Sequence, residues 1–280
     1  MTLPDPETLL AEAGLPPGSH LQRVVALEAV RVAGRSVAVP APRPALSAGA
    51  SGAFEVALRA SLRLRGGAVI AEYKQASPSL GPFAAGTPLE AQLRAYGEGG
   101  AAAFSILTEP RLFLGSAEDL AAGAELGPPC LYKGFVVAEN QLDEAVACGA
   151  AAVLLIARVL RDHTAAFADA ARERGLEPLV ELHDLTEIPC AQAARARLVG
   201  INARDLATFT LGAPGAEPLR RAFPEAVLIR ESGLATPEDA VAAIRAGFDA
   251  VLIGEALMRS ADPRGFLDRI FAALAGQAAS

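Results

Sequence analysis

The sequence predicts an α/β protein, a (β/α)8 TIM barrel with an N-terminal helical extension. Eight short apolar runs return from Ala68 onward at intervals of roughly 21 to 34 residues, which is room for one strand, one helix and two short loops. Stretches with helix-start chemistry separate them. The chain is 52% apolar but only 5% aromatic, so its interior is built from Ala, Val, Leu and Ile, as helix-covered parallel strands are. Eight strand-helix units favour a closed barrel. An open doubly wound sheet is the alternative, because periodicity does not report closure.

Residues 1–60 read as an extension packed on a catalytic barrel of residues 61–280. Helices are expected around "DPETLLAEAG" and "LQRVVALEAV". The tract "AGRSVAVPAPRPALSAGASG" reads as a linker or loop, and a short helix at "AFEVALRASLRL" leads into the first strand. The strands are "AVIAEYK", "AAFSILT", "CLYKGFVV", "AAVLLIA", "LEPLVELH", "LVGIN", "AVLIRES" and "AVLIGE". In "TPLEAQLRAYGEGG", Thr87 can cap, Pro88 suits the first helical position, Glu90 can close a capping box, and Gly99 with Gly100 ends the helix. Thr236, Pro237, Glu238 and Gly247 repeat that grammar in "TPEDAVAAIRAG". "SAEDLAAGAELG" and "ENQLDEAVACG" are weaker versions, and "PRGFLDRIFAALAG" is the closing helix.

The formal charge of -7 argues against a nucleic-acid binder, whose phosphate contacts need a basic face. "MTLPDPETLL" lacks the basic flank and apolar core of a signal peptide, and "ACGAAAVLLIA" is too short to span a bilayer. The expectation is a soluble, cytoplasmic protein. Cys130, Cys148 and Cys190 share no metal-like spacing and are odd in number, so they read as apolar fillers rather than disulfide or zinc ligands.

Charged residues at the strand ends carry the chemistry. An ion inside a barrel is costly unless paired or placed at the open C-terminal end, where barrel enzymes keep their active sites. Glu72 and Lys74 end the first strand with one parity, so both can point into the mouth, while Tyr73 faces the helix layer. Lys133 and Phe135 end the third strand, Glu181 and His183 the fifth, and Asn202, Arg204 and Asp205 the sixth. Gly233 and Gly254 each follow a strand and precede a helix, in the two loops where this fold usually binds phosphate. His20 and His163 read as surface residues. His183 has the parity to reach the mouth but no second metal-type ligand beside it.

From about Val69 to Pro263 the chain resembles the indole-3-glycerol-phosphate synthase family of tryptophan biosynthesis. The likeness rests on "IAEYKQASPSLG", "FSILTEPRLFLGS", "LYKGFVV", "AVLLIARVL", "LVELHD", "GINARDL", "ESG" and "VLIGEALMRSADP", in the family's order. The resemblance implies a lyase that closes the ring of 1-(2-carboxyphenylamino)-1-deoxyribulose 5-phosphate with loss of CO₂ and water, using no cofactor and no metal. It implies Lys133 as the general acid on the ribulose carbonyl and Glu181 as its acidic partner in the later dehydration. Glu72, Lys74 and Asn202 are implied as polar walls, and Phe113, Phe135 and Leu154 as an apolar pocket for the anthranilate ring. Ser77, Arg204, Ser232, Gly233, Gly254 and Glu255 fall at substrate or phosphate positions, with Glu255 acting through its backbone N–H.

Burial and neighbouring cations are expected to lower the Lys133 pKa. The expected partner is a small phosphorylated molecule, with neither nucleic acid nor membrane. A monomer or weak homo-oligomer is expected, and the resemblance leaves room for association with other tryptophan-pathway enzymes.

Three positions depart from the family pattern. Gly134 stands where Asp usually follows the Lys, Leu80 where a basic residue is common, and Ala203 where a second Asn is frequent. The alternative function is accordingly an impaired or re-purposed phosphate-binding barrel serving as a binding or scaffold subunit. A phosphosugar isomerase would favour a Cys and Asp pair at strand ends, and none of the three cysteines lies at such a position.

Overall fold

The eight apolar runs form eight parallel strands, and the last pairs with the first. They are β1 (Ala68–Tyr73), β2 (Ala103–Leu107), β3 (Cys130–Lys133), β4 (Ala152–Ile156), β5 (Glu177–Leu182), β6 (Leu198–Asn202), β7 (Val227–Glu231) and β8 (Ala250–Ile253). The structure is a computed structural model that describes residues 3–33, 52–78, 80–84, 86–202 and 214–276. Every residue of β1, β2, β3, β4, β6 and β8 is buried, as expected of strands covered by helices outside and filled by side chains inside. The open-sheet alternative is therefore excluded by the β1–β8 pairing, which runs from Ala68↔Ala250 to Ala71↔Ile253.

Three helices precede the barrel: α1 (Pro6–Glu12), α2 (His20–Ala33) and α3 (Ala53–Arg65). After the strands come α4 (Leu89–Glu98), α5 (Ala117–Ala124), α6 (Glu139–Ala147), α7 (Ala157–Leu160) with α8 (Thr164–Glu173), α9 (Ile188–Ala193), α10 (Ala216–Ala222), α11 (Pro237–Arg245), and α12 (Glu255–Arg259) with α13 (Pro263–Ala275). No helix among the described residues is long and apolar enough to cross a membrane.

Two of the expected caps differ in detail. Pro88, with extended backbone, occupies the cap of α4 and no side chain caps that helix. Thr87 instead offers its carbonyl to the Tyr73 hydroxyl at 2.7 Å, which anchors the outward face of β1. At α11 the capping box is formed, but the residue closing it on Thr236 is Asp239 rather than Glu238, because the third helical position is the one that reaches back.

The chain before β1 reaches both ends of the barrel. α1 and α2 lie by the mouth: Glu12 meets His163 at 2.6 Å, and Leu21 and Val24 line the mouth cavity. His163, expected on the surface, is thus half-buried against α1, while the His20 side chain lies outside what is described. The long linker tract lies almost wholly outside the described residues.

α3 closes the opposite end, and the expected boundary after residue 60 falls inside it. Its cap residue, Gly52, has no side chain to offer. The Glu177 carboxylate, at the start of β5, takes over by accepting the Phe54 and Glu55 N–H groups at 2.6 and 2.9 Å. Arg59 donates to the Glu225 carbonyl, Arg197 pairs with Glu55, and Ser61 donates to the Gly67 carbonyl. All these partners sit at or just before the starts of strands, so α3 plugs the floor opposite the mouth.

Charge-assisted capping bonds of this kind are worth about 1.5–3 kcal/mol. Glu177→Ala is therefore expected to lower the unfolding free energy by about 2 kcal/mol in urea titrations. A loss below about 0.5 kcal/mol would show that Glu177 does not hold α3.

Candidate active site

Alternation along each strand sends side chains of one parity into the mouth. The register sets the neighbours: Glu72 opposite Ser105, Leu107 opposite Lys133, Ile156 opposite Glu181, Glu181 opposite Gly200, and Asn202 opposite Glu231. The resulting cup has a volume of about 580 Å³.

Glu72, Lys74, Ser77, Phe113, Lys133, Phe135, Leu154, Glu181, Asn202, Ser232, Gly233, Gly254 and Glu255 all line this cup. Arg204 lies outside the described residues, as do Ala203 and Asp205.

The paired charges of β1 meet directly. Lys74 Nζ lies 2.8 Å from Glu72 Oε1, and Ser105 Oγ donates to the other Glu72 oxygen at 3.3 Å. Deeper in, Lys133 Nζ donates to Glu231 Oε2 at 2.7 Å and to Glu181 Oε2 at 3.1 Å. Burial alone would lower the Lys133 pKa, but the carboxylates of Glu181, Glu231 and Glu72 outweigh it and raise that pKa. The expected depression is thus reversed, because the neighbours of Lys133 are anions rather than cations.

The two carboxyls sharing this ammonium are unequal. Burial pushes Glu231 up to about 8 against the pull of Lys133, and the nearby Glu181 adds to the rise. For Glu181 burial is overcome by Lys133 and then by His183, whose ring lies 3.5 Å away, and its pKa falls. The two carboxyls on one ammonium are thus shifted in opposite directions. Glu181, the expected acidic partner of Lys133, lies within hydrogen-bond reach of it. His183 itself is buried behind Glu181 and does not line the cup.

Glu231 was not singled out from the sequence. The signal was present, since it ends β7 with the parity of Val227 and Ile229. Gly200 is a second omission. A Cβ there would strike the Glu231 carboxylate, so the bare backbone of β6 makes room for it. Glu109 is a third: its carboxylate accepts the N–H groups of Arg111, Leu112 and Phe113 at 2.7 to 3.1 Å, shaping the loop that carries Phe113. The Phe113 carbonyl in turn accepts the Gln75 and Ala76 N–H groups, stitching the loops after β1 and β2 together.

The Phe113 and Phe135 rings stand 6.2 Å apart, an edge-contact distance for aromatics. Across the cup, Ser232 and Gly233 turn the chain after β7 with φ of 62° and 72°. α12 begins immediately after Gly254 with no side-chain cap. Among the described residues no group of three or more His, Cys, Asp or Glu could hold a metal ion.

The sequence profile of indole-3-glycerol phosphate synthase matches residues 21–270. The chain belongs to the indole-3-glycerol phosphate synthase family. Its curated relatives of that name include one from Deinococcus radiodurans, 46% identical over 220 residues, covering 76% of this chain and 81% of the relative. Others are from Nocardioides sp., 45% identical (74% and 81% covered), and Methanothermobacter marburgensis, 43% identical (74% of each covered). Among solved structures, a 3-hexulose-6-phosphate synthase aligns with a TM-score of 0.56 at 18% identity, covering 74% of this chain and 99% of that one. Thiamine phosphate pyrophosphorylase from Pyrococcus furiosus aligns at 0.55 and 16% identity, covering 77% and 98%. At that identity the likeness speaks for the barrel alone.

Gly134, the departure beside the key lysine, leaves Lys133 paired. A Cβ at this position would lie 2.7 Å from Thr108 Oγ1 and 2.8 Å from Tyr132 Cε1, so the buried Tyr132 ring occupies the space a side chain would need. Gly134→Asp is expected to destabilise the fold by about 1–3 kcal/mol in denaturant titrations, as overpacking does. An unchanged midpoint would mean that Tyr132 yields freely.

Proposed function

We propose that the cup catalyses the family reaction, converting 1-(2-carboxyphenylamino)-1-deoxyribulose 5-phosphate to indole-3-glycerol phosphate, CO₂ and water in tryptophan biosynthesis. The observation that carries this reading is the single ammonium of Lys133 held at hydrogen-bond distance between Glu181 and Glu231 in a cup of ligand size.

The proton balance of the reaction suits that arrangement. Ring closure joins the carboxylate-bearing ring carbon to the ketone carbon, and the ketone oxygen takes a proton as the bond forms. CO₂ then leaves and the ring regains aromaticity. Dehydration expels the new hydroxyl with a second proton, and the adjacent carbon gives one proton up. Two protons go in and one comes out, which matches the conversion of a carboxylate anion to neutral CO₂.

In our reading the Lys133 ammonium supplies the first proton, the Glu231 carboxyl supplies the second, and the ionised Glu181 accepts the third. A general acid contributes when it is protonated at working pH and within hydrogen-bond reach. The strong pairing of Lys133 keeps its proton in place until substrate charge enters the cup. Lys74, backed by Glu72, is the group for the substrate carboxylate, and Asn202 offers a neutral polar wall beside Glu231. Phe113, Phe135 and Leu154 form the wall for the aromatic ring, with Ser77 at the edge of the same cup. The phosphate is assigned to the turns at Ser232–Gly233 and Gly254–Glu255, where the backbone rather than the Glu255 side chain faces the anion.

Two outcomes test these roles. Lys133→Met is expected to reduce turnover by about 10²–10⁴-fold with far-UV circular dichroism unchanged. Indole fluorescence follows product, and turnover within about tenfold of the parent would remove Lys133 as the acid. As pH rises through about 8, Glu231 loses its proton, so kcat/KM should fall on the alkaline side. Glu231→Gln should lower the plateau and abolish that limb, and a limb that persists would assign it to another group.

A further inference from the structure

We propose that Glu28 of α2 and Gln141 of α6 act as a positioning pair that sets the aromatic-ring wall of the cup; this rests on the ring-closing reading above. Gln141 is almost wholly buried and uses all its bonding capacity on four partners. Its Oε1 accepts the Val137 and Ala138 N–H groups at 2.8 and 3.0 Å. Its Nε2 donates to the Phe135 carbonyl at 3.0 Å and to Glu28 Oε1 at 2.9 Å. The segment from Phe135 to Ala138, one residue beyond β3, is therefore held by one side chain, and that side chain is oriented by a carboxylate from the extension.

Glu28 is itself fixed. Arg31 Nε donates to both its oxygens at 2.9 Å, and Arg31 also lies 3.6 Å from Glu144, which accepts the Tyr132 hydroxyl at 2.8 Å. Tyr132 immediately precedes Lys133, so the cluster grips β3 on the far side of the strand from the cup. On α2, Leu21, Val24 and Glu28 stand at helical spacings of three and four and share one face. Leu21 and Val24 line the cup, and Glu28 carries the same face onto Gln141.

This arrangement couples two parts of the cup's lining: the apolar residues of α2 and the Phe135 ring that stands beside Phe113. The phosphate turns belong to β7 and β8, and none of the bonds just described reaches them. Loss of the pair is thus expected to loosen recognition of the aromatic half of the substrate and to leave the phosphate half alone. A cluster that merely glued the extension to the barrel would show no such division.

The test compares the parent with Glu28→Ala, Gln141→Ala, the double variant and Glu28→Gln. KM and kcat are measured with the authentic substrate. Anthranilate binding is followed by its fluorescence, and inorganic phosphate binding by the shift in melting temperature. Each alanine variant is expected to raise KM and the anthranilate Kd by about tenfold, with kcat within about threefold of the parent and phosphate binding unchanged. The double variant should be no worse than the weaker single, because the pair acts as a unit. Glu28→Gln, which keeps an acceptor for Gln141, should recover most of the loss.

Unchanged KM in both alanine variants, equal weakening of anthranilate and phosphate, or additive effects would overturn the proposal. Should Glu28→Ala fail to fold, Gln141→Ala and Glu28→Gln decide the matter. A parent that makes no product would sink the ring-closing reading instead, while the anthranilate and phosphate titrations would still judge the pair.

Discussion

A lysine ammonium buried between two glutamates is the constraint around which the mouth of this barrel is arranged. Removing one ion from such a cluster leaves the others uncompensated, at a cost of about 3–5 kcal/mol, so its members hold one another in place. The floor of the cup carries two ammonium groups, on Lys74 and Lys133, against three carboxyls, on Glu72, Glu181 and Glu231. Burial raises the Glu231 pKa, whereas at Glu181 burial is overcome by Lys133 and the pKa falls. The same pairing that lets the charges be buried leaves two carboxyls with opposite pKa shifts on one cation. Stability and chemistry here have a common origin.

Much of this was legible from strand parity. A parallel barrel exposes inward side chains only at its ends, so polar residues of like parity at the ends of β1, β3, β5 and β6 pick out Glu72, Lys74, Lys133, Glu181 and Asn202 without any structure. The same rule applied to β7 yields Glu231, beside the more conspicuous signal of the glycine turn that follows it. What parity does not report is which cations and anions become neighbours across the barrel. The sign of the Lys133 shift depends on that, and it reversed. Helix starts were legible in kind but not in register. Thr236 caps as expected, whereas at Thr87 the following proline holds an extended backbone and the threonine carbonyl serves β1 instead.

The extension was the least legible part, for a physical reason. Its contacts join residues more than a hundred positions apart, such as Glu28 with Gln141 and Glu177 with the first turn of α3. No local pattern encodes such pairs. The amphipathic spacing of α2 signals a buried face but not its partner. Once folded, this segment belongs to the barrel at both ends, with α2 forming part of the mouth and α3 sealing the floor. A division of the chain at residue 60 therefore cuts through α3 rather than between two units.

Glycine supplies the last element, and it does so mainly through volume. Gly134, Gly200 and Gly254 are absent from the positions with left-handed φ, so none is required by its backbone conformation. Each stands where a Cβ would collide with a neighbour: Tyr132 and Thr108 at Gly134, the Glu231 carboxylate at Gly200, and the Glu72–Lys74 pair at Gly254. Charged side chains that converge from several strands need more space than the inner wall of a close-packed barrel leaves when every position bears a side chain. Bare backbone beside each cluster provides it. Gly254, which the sequence recommends for a phosphate turn, thus has a second reason to be glycine, and at Gly134 the room a side chain would need is taken by Tyr132 and Thr108.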